Sequence, residues 1–215
     1  MVRHSSSVLP KISVFRTTPG DVFHVIHDTA YAPESFNPGV TDTGALRNPT
    51  RFAPVRDAAG KVVPYLYGGS SLDCAIFETI FHNVPVDAPD KFVDLDGCAQ
   101  RGHGQVVPAR DLKLADLTTD GLHRLKVSKA ELIGSAPTDY LQTALCAQAI
   151  HHQYPDADGL LRVSRQPDRD RALMVFGDRV DESLSGRPVG GALKVNDALR
   201  QSILGIALRA GIEVS

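Results

Sequence analysis

Residues Val63 to Asn83 read VPYLYGGSSLDCAIFETIFHN. The first third, VPYLYGG, is apolar and aromatic, the composition of a buried strand, and Pro64 places it at a sheet edge or a strand start. Ser70 and Ser71 follow, and a serine oxygen satisfies an orphan backbone donor where a helix begins, here near Leu72. Along that helix Cys74 and Ala75 lie one turn before Glu78, and Phe81 and His82 one turn after it, because residues three and four apart share a face. A carboxylate therefore stands on a mostly apolar face. It is either a solvated boundary residue or an ionisable group whose surroundings are arranged for function.

Upstream, KISVFRT (Lys11 to Thr17) is β-branched and aromatic and ends at Pro19-Gly20, so it reads as a first strand and a turn. From Tyr31 to Lys61 prolines and glycines recur, which excludes regular helix and predicts a long ordered loop, usually a functional feature. Downstream, KFVDLDG, GQVVPAR and DLKLADL alternate or run apolar as strands do. SAPTDYLQTALCAQAIHHQ predicts a second helix with Pro137 in its first turn and an apolar stripe of Leu141, Ala144, Leu145 and Ala149. The turn YPDADG leads to a strand LLRVS, the polar loop RQPDRDR to a strand ALMVFG, and VNDALRQSILGIALRAG to a last amphipathic helix that stops at Gly211. Short strands among three helices, without regular strand-helix alternation, predict an α+β (mixed α/β) fold in one domain over residues 1–215. Its core spans about 12–180, with a C-terminal helix over 195–211.

Size and composition fit that fold: 215 residues, 42% hydrophobic and 22% charged, a globular profile long enough for a sizeable core. A net charge of −2 gives no basic footprint for nucleic acid or an anionic membrane. Cys74, Cys98 and Cys146 are odd in number and far apart, which predicts neither a disulfide framework nor a zinc site. No stretch approaches the roughly 20 apolar residues of a membrane span and no export signal is apparent, so a cytoplasmic location is expected.

Several residues could carry chemistry. Arg51, followed by Phe52 in the Pro-rich loop, pairs a fixed guanidinium with an aromatic ring, a combination that can grip a phosphate and stack a ring, although a single arginine is more often a surface residue. Tyr67 on the strand reads equally as a half-buried strand tyrosine. GGSS offers backbone donors to a phosphate but matches neither G-x-G-x-x-G nor a P-loop. His24 with His27, and His151 with His152, lack a third ligand, so no metal is expected.

Taken together, RFAPV, VPYLYGGSSLDCAIFETIFHNVP, TALCAQAIHHQYPDADGLLRVSRQ and ALMVF resemble the RES domain family, named for an arginine, a glutamate and a serine. The resemblance runs from about Arg16 to Phe176. It is most specific in the strand-to-helix block with its tyrosine and glutamate, and in the SR after the Gly-Leu strand. It implies an ADP-ribosyltransferase-like fold of central β-sheets flanked by helices, and a site in which Glu78 is catalytic with Arg51. Arg51, Tyr67, Ser164 and, ranked lower, Arg16 bind the substrate. The implied substrate is NAD, cleaved at the nicotinamide-ribose bond without a metal by the toxin of a toxin-antitoxin pair. The implied partner is a helix-turn-helix antitoxin; a homodimer is left open. Transfer of ADP-ribose to an acceptor, and silent binding of NAD or a partner, are the alternative readings.

Overall fold

The computed structural model describes residues 9–41, 43–85, 88–135, 137–164 and 170–215. Its strands are β1 (Val14–Arg16), β2 (Phe23–Asp28), β3 (Val55–Arg56), β4 (Val62–Val63), β5 (Tyr65–Gly69), β6 (Phe92–Val93), β7 (Arg101–Pro108), β8 (Lys113–Asp116), β9 (Gly159–Val163), β10 (Arg171–Phe176), β11 (Leu184–Ala192) and β12 (Glu213–Val214). The helices are α1 (Leu72–Thr79), α2 (Thr119–Leu125), α3 (Lys129–Leu132), α4 (Tyr140–Gln153), α5 (Gly177–Val180) and α6 (Asp197–Ala210). Eight strands form one mixed sheet in the order β1-β8-β9-β10-β5-β2-β7-β11. Every pair in it is antiparallel except β8 with β9. The fold is α+β.

Strand periodicity sorts the side chains onto two faces. Register sets Met174 opposite both Leu160 and Tyr67, so Leu160, Arg162, Met174 and Tyr67 share one face. That face carries two hydrophobic clusters. One gathers Phe52, Leu160, Met174 and Ile150 beneath α2 and α4, and the other gathers Ile76 and Phe81 with Ile203 and Ile206 of α6. The opposite face buries Phe23, Val25, Leu66, Leu161, Leu173 and Val175.

The break at Pro64 falls where β5 begins. β5 is central, between β10 and β2, so the strand-start reading of Pro64 holds and the edge reading does not. Ser71 caps α1, its Oγ accepting from the Cys74 amide at 3.0 Å. Gly69 allows the tight strand-to-helix corner, since a Cβ there would stand 2.8 Å from the Cys74 side chain and 2.9 Å from the Ala75 nitrogen. The last helix ends at Gly211, whose φ of 64° is the left-handed cap that glycine adopts without penalty.

Other elements depart from the sequence reading. β2, central to the sheet, is an additional strand, and so is β11, an edge strand that tolerates Pro188 because an edge needs fewer donors. KFVDLDG yields only the two-residue β6, paired in parallel with β12. α2 and α3 are additional helices. The expected stripe on α4 is out of phase: Tyr140, Thr143, Ala144, Cys146, Ala147, Ile150 and His151 are buried, while Leu141 is 63% and Leu145 41% exposed. The small Thr143, Ala144, Cys146 and Ala147 form the middle of the inward face because α4 lies close against β3 and the 50–53 turn. The polar loop over 165–169 lies outside the described residues. Among the described residues no helix is long and apolar enough to cross a membrane.

Candidate active site

Where the two clusters of one sheet face meet, α1 delivers Glu78 from its last turn, β9 delivers Arg162, and Ser164 follows directly after β9. Residues two apart on a strand share a face, so Arg162 and Ser164 both point at α1. Arg162 donates to Glu78 through both terminal nitrogens, Nη1 reaching Oε1 at 2.9 Å and Nη2 reaching Oε2. Ser164 Oγ donates to Oε1 at 2.7 Å. Side-chain exposure is 14% for Glu78 and 6% for Arg162, and Ser164 is fully buried. A bidentate guanidinium pair with a third donor fixes a carboxylate's rotamer and plane far more tightly than a lone ion pair does.

Tyr67 stands on the same face. Its hydroxyl lies 3.0 Å from Thr50 Oγ1 and accepts from the Phe52 amide at 3.2 Å. It therefore ties down both neighbours of Arg51, which links the Pro-rich loop to β5 despite the length of chain between them. Burial drives the Tyr67 phenol pKa far above its ordinary value, so the group stays a neutral hydroxyl. Arg162 Cζ lies 5.9 Å from the centroid of Phe52, and this turn thus also lines the Glu78 pair.

Arg51 is 8% exposed. Its Nη1 donates to the carbonyl and hydroxyl of Ser135 at 3.0 and 2.7 Å, and its guanidinium lies 5.1 Å from the Tyr140 ring centroid. Thr143 Oγ1 donates to the Arg51 carbonyl. The arginine thereby anchors the N-terminal end of α4 as well as standing near the site. His82, one turn beyond Glu78, reports on the local field. Burial lowers its pKa first, Glu78 opposes that, and Arg51 and Arg162 lower it further. All three charges are therefore felt at one imidazole. Its Nδ1 donates to the Thr79 carbonyl at 3.2 Å, which leaves Nε2 as the acceptor of the neutral ring.

Four of the five residues expected from the sequence, Glu78, Ser164, Tyr67 and Arg51, converge on this seam. Arg16 does not. It is exposed on the edge strand β1 and pairs in register with Lys113, whereas β9 continues from Leu161, level with Asp116, toward Arg162 and Ser164. The GGSS turn is no open phosphate cradle either. Ser70 N donates to the Arg171 carbonyl, and Ser70 and Ser71 hydroxyls donate to Asp170 at 3.3 and 2.5 Å. Arg162 is the residue that the sequence reading missed; an arginine two positions before Ser164 in an otherwise apolar strand was its signal. Cys74 adjoins the site but is no nucleophile: burial first, then Glu78, pushes its thiol up to about 12. Elsewhere His24 stacks on His103 and His151 contacts Asp178 at 2.9 Å. No group of three potential metal ligands occurs among the described residues.

The family model of the RES domain matches residues 21–192, well over half of the chain. No curated protein matches the sequence.

Proposed function

The chain belongs to the RES domain family, and on that premise we propose that it degrades NAD by cleaving the nicotinamide-ribose bond, as the toxin of a toxin-antitoxin pair. The observation that carries the reading is the Glu78 carboxylate, held by Arg162 and Ser164 on a buried seam. Departure of nicotinamide leaves an oxocarbenium-like ribosyl centre, and a preorganised carboxylate beside it lowers the barrier by accepting from ribose hydroxyls and opposing the developing charge. Arg162 offsets part of that charge, so hydrogen-bond acceptance at the ribose is the larger role of Glu78 and charge the smaller. Arg51 and Arg162 make the seam positive toward the pyrophosphate, and the Tyr67 ring supplies a stacking surface for nicotinamide. These are positioning roles that turn binding into rate.

The proposed partner is a helix-turn-helix antitoxin that covers the cleft through the ordered loop around Arg51; it competes with NAD, and independent binding of both would remove it from the model. Incubating the protein with NAD and following the products tests the activity itself. Free ADP-ribose identifies hydrolysis, and a phosphorylated ADP-ribose formed only with added phosphate identifies phosphorolysis. A labelled acceptor would replace the reading with ADP-ribosyl transfer, and absence of turnover would leave a binding module.

A further inference from the structure

A second polar cluster lies across the sheet from Glu78. Ile26 of β2 packs into the cluster that contains α1, so the next side chain, His27, projects from the other face. There His27 and Glu34 line a cleft of about 500 Å³ at the β7–β11 edge, with Tyr31 also in its wall. Register pairs His27 with Gly102, and Gly104 with both Val25 and Pro188. A Cβ on Gly104 would stand 2.7 Å from Pro33 Cγ and 3.2 Å from His27 Nε2, and one on Gly186 would collide with the Glu34 carboxylate. The glycines are what let this segment settle onto the strands.

Both side chains present hydrogen-bond acceptors with nothing to accept. His27 Nδ1 lies 3.1 Å from the carbonyls of Asp28 and Tyr31. Since a carbonyl only accepts, the proton of the neutral ring sits on Nδ1 and Nε2 carries the lone pair. Among the described residues three buried side-chain polar atoms lack a partner, and two of them are His27 Nε2 and Glu34 Oε2. A buried acceptor left without a donor is destabilising, and a pair of them lining one cleft calls for a functional explanation. Two potential ligands fall short of the three or four protein donors of a zinc site. A carboxylate, an accepting imidazole and a tyrosine that is 65% exposed are instead the complement of a planar cation with several N–H donors, which a carboxylate pairs with and an aromatic face attracts.

We propose that this cleft binds a guanidinium group, either of a free small molecule or of an arginine side chain on a partner protein. Both acceptors are closed off from solvent, so entry displaces part of the exposed 30–32 segment. The Glu34 carboxylate takes the charge, His27 Nε2 accepts a further N–H, and Tyr31 covers the planar face. The site is independent of the NAD reading, because it uses no residue of the Glu78 seam.

Titration of the whole protein with agmatine, a free guanidinium, and with a short arginine-containing peptide tests it. Calorimetry gives affinity and nitrogen NMR of the histidines follows His27. The expected result is saturable binding that moves the His27 Nε2 resonance, weakened about tenfold or more, about 1.4 kcal/mol, by Glu34→Gln, and less by His27→Gln. Thermal melting checks that each variant is folded. Binding of agmatine identifies a free-ligand site, whereas binding of the peptide alone identifies docking of a partner's arginine. Putrescine binding as tightly as agmatine, equal affinity in a folded Glu34→Gln protein, or no saturable binding of either probe would overturn the proposal.

Discussion

The Glu78 seam and the His27–Glu34 cleft are both polar clusters set on the same sheet, and they differ in how their hydrogen bonds close. At the seam every described contact is internal: Arg162 and Ser164 supply three donors to one carboxylate, and Tyr67 has both Thr50 and Phe52. In the cleft the two acceptors that matter have none. Internal closure fixes geometry before substrate arrives, which is what lowers a chemical barrier without reorganisation. Open acceptors leave binding energy to be collected from a ligand. The first arrangement suits catalysis and the second recognition.

Removing one member of the seam is the strongest way to break this contrast. Glu78→Gln should lower NAD turnover by orders of magnitude, read from nicotinamide release, since the lost interaction is made chiefly in the transition state. The same change strips Arg162 of its counter-charge inside the protein, and breaking a buried ion pair from one side costs about 3–5 kcal/mol. Denaturant unfolding of Glu78→Gln should show that loss, and Arg162→Met should show a similar one. The double variant should recover part of it, because no unpaired charge then remains buried. Additive losses in that cycle, or near-normal turnover in folded Glu78→Gln, would refute the closed-seam account.

Glu78 and Ser164 were legible because the strand-turn-helix block and the SR after LLRV are distinctive, and Tyr67 and Arg51 came with them. Arg162 lay in plain view. Leu160, Arg162 and Ser164 alternate onto one face, but an arginine inside an apolar strand is read as a tolerated exception until the carboxylate opposite it is known. Arg16 failed for a topological reason: local sequence identifies its strand, and only the non-local pairing of β1 with β8 puts it at the sheet's outer edge. β11 was hidden by its glycines: Gly186 makes room for Glu34, while Gly190, at a φ of 78°, and Gly191 lie against Asn196 and Val195. α2 and α3 carried signals that went unread, including a capping box from Ser128 to Glu131. On α4 Leu141 and Leu145 face outward because close approach to β3 favours the small Thr143, Ala144 and Ala147 on the inward side, a packing fact that periodicity cannot supply.

His24 of β2 and His103 of β7 sharpen the comparison, because they are internally paired although His103 also lines the cleft. His24 Nδ1 and His103 Nε2 stand 2.8 Å apart. Burial first, then His24 and His27, depresses His103 from 6.5 to about 4, and burial lowers His24 as well. A histidine whose folded pKa lies below its unfolded value favours the folded state while neutral, so this contribution is complete above about 6.5 and lost as pH falls toward about 4. Melting temperature should decline across that window, and His103→Gln should flatten the decline. An unchanged slope in a folded variant would move the acid sensitivity elsewhere.

The smallest expected effect tests whether internal closure extends to the turn that aims Glu78. Ser71 Oγ accepts from the Cys74 amide at 3.0 Å and donates to Asp170 at 2.5 Å, joining the start of α1 to the residue before β10. Ser71→Ala removes the cap, worth about 1 kcal/mol, and one of the two hydroxyl contacts to Asp170. Ser70 Oγ still reaches Asp170 at 3.3 Å, which limits the damage. Asp170 is half-buried and remains near water, so the second loss stays at the lower end of the range of about 1.5–3 kcal/mol for hydrogen bonds to charged groups. Chemical denaturation should therefore show a deficit of about 2.5 kcal/mol, below that of Arg162→Met. Because Glu78 lies seven residues further along the same helix, a looser start should also lower turnover at saturating NAD while leaving the affinity for NAD nearly unchanged. Restoring the cap with Ser71→Asp would set a second carboxylate against Asp170, so it should recover helix capping without recovering the latch. If Ser71→Ala and Ser71→Asp behaved alike in stability and rate, the cap and the latch could not be separate contributions to holding Glu78 in place.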